Sequence, residues 1–126
     1  MVQILLIGIG GFFGSIARHL LSGIVQSATA GTFPYGTLSV NVVGCLVIGA
    51  MSELTEARAF LSGEARALLI IGGLGGFTTF SAFGNETINL VRDSDWTMAT
   101  VNVAAHVALA IGAVWLGRTT AHLIWR

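Results

Sequence analysis

The sequence predicts an all-α membrane protein of four spanning helices, the third of them broken at mid-membrane. Three observations predict it. Hydrophobic residues make up 54% of the chain and charged ones only 10%, with a mean hydropathy of +0.83, a balance too apolar for an ordinary soluble domain. The apolar residues gather into four stretches, each matching the roughly 20 residues that cross a hydrocarbon core of about 30 Å. The third stretch carries Gly72, Gly73, Gly75 and Gly76, then Thr78, Thr79 and Ser81, where a spanning helix should be most regular.

The segments are expected at residues 3–25, 36–54, 67–91 and 97–124, with the break near 75–79, in one domain over 1–126. The opening MVQILLIGIGGFF has no positively charged n-region and no A-x-A-like cleavage site before a polar domain, so the first segment is expected to be retained. Pro34, the only proline, suits the start of the second helix, where its missing N–H would be unpaired anyway. Glu53, Glu56, Arg58, Glu64 and Arg66 form a charged run expected in water. Arg92, Asp93 and Asp95 mark the last turn. Trp96 and Trp125 fit interfacial anchors, and Trp115 fits either that role or lipid-facing filler. Four crossings put both termini on one side, with Arg58, Arg66, Arg118 and Arg126, against Arg18 and Arg92 on the other. The bias leans toward cytoplasmic termini and is small enough to suit insertion in both orientations.

Six arginines, no lysine and six acids cancel, which disfavours a nucleic-acid partner and a polybasic lipid-binding arm. The single cysteine, Cys45, can form no intrachain disulfide and reads as small buried filler. Many of the 17 glycines lie within the segments, and Gly10/Gly14 and Gly72/Gly76 have the GxxxG spacing of close helix packing. The glycine run is no nucleotide loop, since neither the Walker pattern nor GxGxxG between a strand and a helix is present.

The third segment carries the chemistry. Glycine costs about 1 kcal/mol relative to alanine in a helix, and the neighbouring hydroxyls compete for backbone groups. Backbone released inside hydrocarbon must be buried in protein, paired, or line a polar cavity. Freed carbonyls there suit a cation, and the N-terminus of a half-helix suits an anion. Phe80 and Phe83, three apart, fall on one helical face, with Thr79, Asn85 and Glu86 on adjoining faces. Ring edges are electropositive and hold a small anion weakly, as conduction requires; aromatic packing is the plainer alternative. Arg18 either snorkels to the interface or reaches inward at a pore mouth. Asn41 either donates to an anion or joins helices. His106 lies within the fourth segment as a hydrogen-bonded core residue, and neither His19 nor His122 makes metal-ligand spacing with it. Glu86 is the only carboxylate well inside a segment, and no nucleophile-base-acid set stands out, so no enzyme is expected.

Over the whole chain these residues resemble the small fluoride channels. Gly10, Gly11, Gly14 and Arg18 are similar to that family's glycine-rich first helix ending in arginine. Gly36-Thr37-Leu38-Ser39-Val40-Asn41 with Gly44 resembles its GTLxVNxxG motif, and residues 75–83 with Glu86 resemble its GGxTTFSTF run followed by Glu. The resemblance implies an antiparallel, dual-topology homodimer in the cell (inner or plasma) membrane, with two pores through which cytoplasmic fluoride leaves passively, without ATP. It implies ring edges from Phe80 and Phe83, a donor from Asn41, and Arg18 near an aqueous vestibule. It also implies a structural sodium ion (Na+) at the dimer centre, on the carbonyls of Gly75 and Thr78. Thr79, Ser81, His106 and Glu86 complete the expected pore set. Ala82, Gly84, Ala110 and Val114 depart from the usual hydroxyl-bearing residues of the ion track. The alternative is a small proton-coupled multidrug exporter, whose first-helix glutamate has no counterpart here. A structural membrane subunit without transport is a third reading, which the polar break does not fit.

Overall fold

A computed structural model describes residues 1–58 and 61–125, the side chains of residues 57 and 58 excepted. Of the arginines weighed for orientation, the Arg58 side chain and Arg126 lie outside the described residues. Every regular element among the described residues is a helix. Helix α1 spans Val2–Ala28 and α2 spans Tyr35–Arg58. The third span begins as α3 (Gly63–Arg66), passes through a π-helical stretch (Ala67–Leu74) and a short α4 (Gly75–Phe77), and resumes as α5 (Phe80–Arg92). Helix α6 spans Trp96–Ile124. Four helical segments are long and apolar enough to cross a membrane: Val2–Ala28, Tyr35–Glu56, Gly63–Arg92 and Trp96–Ile124.

The connections follow from local chemistry. Pro34 stands one residue before α2, and its carbonyl accepts the Leu38 N–H at 3.1 Å. Gln26 of α1 fixes the same corner, accepting the Gly36 N–H on Oε1 at 3.0 Å and donating from Nε2 to the Phe33 carbonyl at 3.1 Å. Ser62 caps α3 and Asp95 caps α6 by accepting the N–H of Ala65 and Met98. The charged run read as a water-exposed connector is largely helical: α2 continues to Arg58 and α3 starts at Gly63. Glu53 and Glu56 of α2 both pair with Arg118 of α6, and Glu53 also contacts His122, so α2 gains a charged anchor at its end.

Two helix pairs build the molecule. Helix α2 packs most extensively on α6, and α1 on the π-helical stretch. At the second contact backbones touch directly: a methyl added at Gly14 would overlap the Gly73 carbonyl, and one at Gly76 would come within 2.6 Å of the Gly11 carbonyl. Both GxxxG pairs of the sequence therefore serve close packing. Glycines that look like a helix breaker are used instead to let α1 lie against the third span.

The third span is interrupted, over a shorter stretch than residues 75–79. Gly75–Phe77 is still helical, while Thr78 (ψ 156°) and Thr79 (φ −150°, ψ 117°) are extended. They are the sixteenth and seventeenth residues of the 30-residue span Gly63–Arg92, near its midpoint. Trp96 and Trp115 are both exposed.

Candidate functional site

A break in a spanning helix leaves backbone groups without helical partners, and here two polar side chains hold them. Asn41 of α2 donates from Nδ2 to the Thr79 carbonyl at 2.9 Å and accepts the Thr79 N–H on Oδ1 at 2.8 Å. Thr79 Oγ1 accepts the Ala82 N–H at 3.1 Å, capping α5. These bonds divert the donors that an uninterrupted helix would send four residues back. The Thr79 N–H no longer closes on the Gly75 carbonyl, nor the Ala82 N–H on the Thr78 carbonyl. These are two of the carbonyls at the break, and the ones to which the resemblance assigns a cation. Thr78 itself still donates from N–H and Oγ1 to the Leu74 carbonyl, at 2.9 and 3.0 Å.

Two cavities meet at the break. One, of about 560 Å³, is a largely apolar groove lined by Asn41, Cys45, Thr78, Phe80, Phe83 and His106 among others. The other, of about 670 Å³, is lined by Arg18, His19, Gln26, Thr37, Ser81 and Glu86 among others. Thr79 borders both, and its hydroxyl lies 3.2 Å from that of Ser81. The residues singled out in the sequence therefore divide between two spaces: Asn41, Gly75, Thr78, Phe80, Phe83 and His106 line the groove, Arg18, Ser81 and Glu86 line the cavity, and Thr79 borders both. Cys45, expected as buried filler, is half-buried because the groove opens beside it.

Within the groove the Phe80 and Phe83 rings are 5.3 Å apart, tilted by 53°. Phe83 is half-buried against His106, ring centres 4.4 Å apart, while Phe80 is 83% exposed. Among the described residues, none covers the Phe80 ring. His106 is buried, and its Nδ1 lies 3.0 Å from the Asn102 carbonyl. A carbonyl only accepts, so Nδ1 carries the hydrogen, and Nε2 of the neutral ring is an acceptor. Neutral His106 accordingly offers an anion no N–H on that side.

In the cavity Thr37 donates to Glu86 Oε1 at 2.6 Å. Thr37 entered the sequence reading only as part of a motif, and its tie to Glu86, 49 residues away, has no local signal. Asn102 was missed altogether. It is fully buried and donates to Thr87 Oγ1 at 2.9 Å, joining α5 to α6; an amide inside an apolar spanning segment was the available signal. Glu86 Oε2, Asn102 Oδ1 and His106 Nε2 are buried without a hydrogen-bond partner among the described residues. Helix α1 contains no acid, so the carboxylate that a proton-coupled exporter would need there is missing.

Comparison with known proteins gives the family of the chain. The family model described as CrcB-like protein, Camphor Resistance (CrcB), matches residues 5–118. A fluoride-specific ion channel FluC of Opitutus terrae is 47% identical, the alignment covering 93% of this chain and 90% of that protein. A FluC of Paramagnetospirillum magneticum is 42% identical with both chains fully covered. The FluC 1 of Methanosarcina acetivorans is 46% identical over 96% of this chain and 92% of its own length. With a family model spanning nearly all of its residues and relatives this similar along its whole length, the chain belongs to the CrcB-like family of multi-pass membrane proteins.

Proposed function

We propose that the protein is a fluoride-selective channel that lets fluoride leave the cell passively. The observation that carries the reading is the meeting, at one interrupted helix, of a polar cavity holding an arginine and a groove holding two like-facing phenyl rings. Relatives spanning the full chain are named fluoride-specific ion channels.

The chemistry supports it. Fluoride is small and strongly hydrated, so a path must supply hydrogen-bond donors and positive potential without binding tightly. Arg18 brings charge to the cavity, and the hydroxyls of Ser81 and Thr79 lead from it to the break. Helix α5 begins there at Phe80, with the Ala82 N–H already capped by Thr79, and the N-terminal end of a helix favours an anion. The electropositive edges of Phe80 and Phe83 continue the track. The second N–H of the Asn41 amide remains for an anion, since one hydrogen serves Thr79. Glu86, held by Thr37, sets the charge balance of the cavity.

A second copy in the opposite orientation completes the groove in this reading. The exposed Phe80 and the apolar walls beside it need a cover, and lipid supplies no groups to guide an ion. Two freed carbonyls per copy, from Gly75 and Thr78, make four oxygens for a structural sodium ion at the centre of such a dimer, the hard oxygen set that an alkali cation takes.

The test is efflux from liposomes containing the purified protein. Fluoride leaves and chloride is retained; equal release of both ions refutes the selectivity. F80I and F83I are expected to lower fluoride flux at least tenfold without unfolding the protein, and undiminished flux in both returns the rings to packing. Uptake of a lipophilic cation driven by protons would favour the exporter instead.

A further inference from the structure

The cavity beside the break holds two basic side chains, and the mechanism above uses only one. His19 follows Arg18 on α1, lines the same 670 Å³ space and is exposed. Neither residue has a hydrogen-bond or ion-pair partner among the described residues, so each faces the cavity contents. Helix α5 contributes Glu86, and α2 contributes Thr37 and Val40, which carry no charge. Arg92, Asp93 and Asp95 sit beyond the cavity, at the end of α5 and the following turn. An ionised Glu86 offsets Arg18, and the sign of the space is then decided by His19. Imidazole is the side chain whose ordinary titration falls between pH 5 and 8.

We infer that His19 is a second anion-capture group at the mouth of the fluoride path, one that raises fluoride entry when protonated. The inference rests on the channel reading and adds to it a residue that sets the rate of entry. Across roughly 7 Å of water, one unit charge raises the local concentration of a monovalent anion about threefold, and added salt screens the effect. The gain appears where capture limits conduction, at fluoride concentrations below saturation. It weakens as the site fills.

The experiment is fluoride current through the purified protein in planar bilayers, at subsaturating fluoride and symmetric pH 7.5 or 5.5. Current is the readout because neutral hydrogen fluoride carries none. The native chain is expected to conduct about two- to threefold better at pH 5.5. His19→Gln removes the rise, and His19→Lys gives no rise while conducting at pH 7.5 at the level the native chain reaches at pH 5.5. Raising ionic strength with impermeant ions shrinks the difference. A native current independent of pH, or a rise that persists in both variants, overturns the inference; in the second case the responsive group is His106 or Glu86. No fluoride current at either pH in any of the three proteins overturns the channel reading, and this inference with it.

Discussion

Replacing Asn41 with alanine removes both partners of the Thr79 peptide at once. The lost bonds are an Nδ2–H to the Thr79 carbonyl at 2.9 Å and the Thr79 N–H to Oδ1 at 2.8 Å. Interhelical hydrogen bonds in membranes average only about 0.6 kcal/mol each, which would put the cost near 1.2 kcal/mol. That average reflects side chains that find other partners. Here the orphaned groups belong to extended backbone between two helices, with no turn to absorb them, and an unsatisfied buried group costs about 1–3 kcal/mol. Water in the adjoining cavity relieves part of this for Thr79, so about 2–4 kcal/mol is expected. Asn41→Asp keeps the acceptor for the Thr79 N–H but sets a carboxylate oxygen against the Thr79 carbonyl, so it should cost at least as much stability as alanine and depress fluoride flux more. Asn85→Ala, at an exposed position of α5 without a recorded bond, is the control and stays within about 0.5 kcal/mol of the native protein. Denaturant unfolding in micelles and fluoride efflux measure the two effects. An N41A protein as stable as the control, with flux intact, would refute the assignment of Asn41 as the clamp of the break.

Other outcomes follow from the same geometry. Gly14→Leu forces α1 off the third span, because even a methyl there overlaps the Gly73 carbonyl; a loss of more than about 3 kcal/mol or failure to fold is expected. Gly112→Ala, where nothing lies within 4 Å, should be neutral or gain up to about 1 kcal/mol from helix propensity, as thermal unfolding will show. Thr37→Val strips Glu86 Oε1 of its donor and should destabilise by about 1–3 kcal/mol, whereas Thr37→Ser restores most of it; equal stability of the two would remove Thr37 from its supporting role. Charge reversal at Glu56, an exposed partner of Arg118, should leave fluoride flux unchanged in the efflux assay.

The sequence is informative where solvent sets the rules and less so where packing does. Four spans are legible because hydrocarbon demands long apolar runs with paired backbone, and the third span's interruption because hydroxyls and glycines violate that demand at its middle. The extent of the interruption is not legible. Glycine has two uses in a membrane helix, release of the backbone and close approach of a neighbour, and only contact with the α1 backbone at Ile7, Gly10 and Gly11 decides that Gly72 and Gly76 serve the second. The break then falls on Thr78 and Thr79, whose side chains and the Asn41 amide supply substitute bonds. The same limit hides the Thr37–Glu86 and Asn102–Thr87 pairs, which join residues 49 and 15 apart. His106 shows the reverse: a hydrogen-bonded place inside the fourth span was expected, but the direction of its proton depends on the Asn102 carbonyl one turn away.

Helix α5 brings these strands together. Three polar bonds tie it to neighbouring helices: Thr79 at its cap to Asn41, Glu86 to Thr37, and Thr87 to Asn102. Its apolar contacts within the chain are few, since only Leu90 of its 13 residues is buried. A helix tied on one side by three hydrogen-bonded pairs and left open at Phe80 on another is positioned without being packed. Polar pairs fix register and angle through direction, whereas burial of the rings would supply most of the association energy. Such a helix is suited to receive a second surface without rearranging, which supports the assembly proposed above. Apart from Glu86 the ties are neutral amides and hydroxyls, and the proposed channel reading gives a reason: an arginine in Asn41's place would satisfy the same carbonyl but would hold a passing halide long enough to stop conduction.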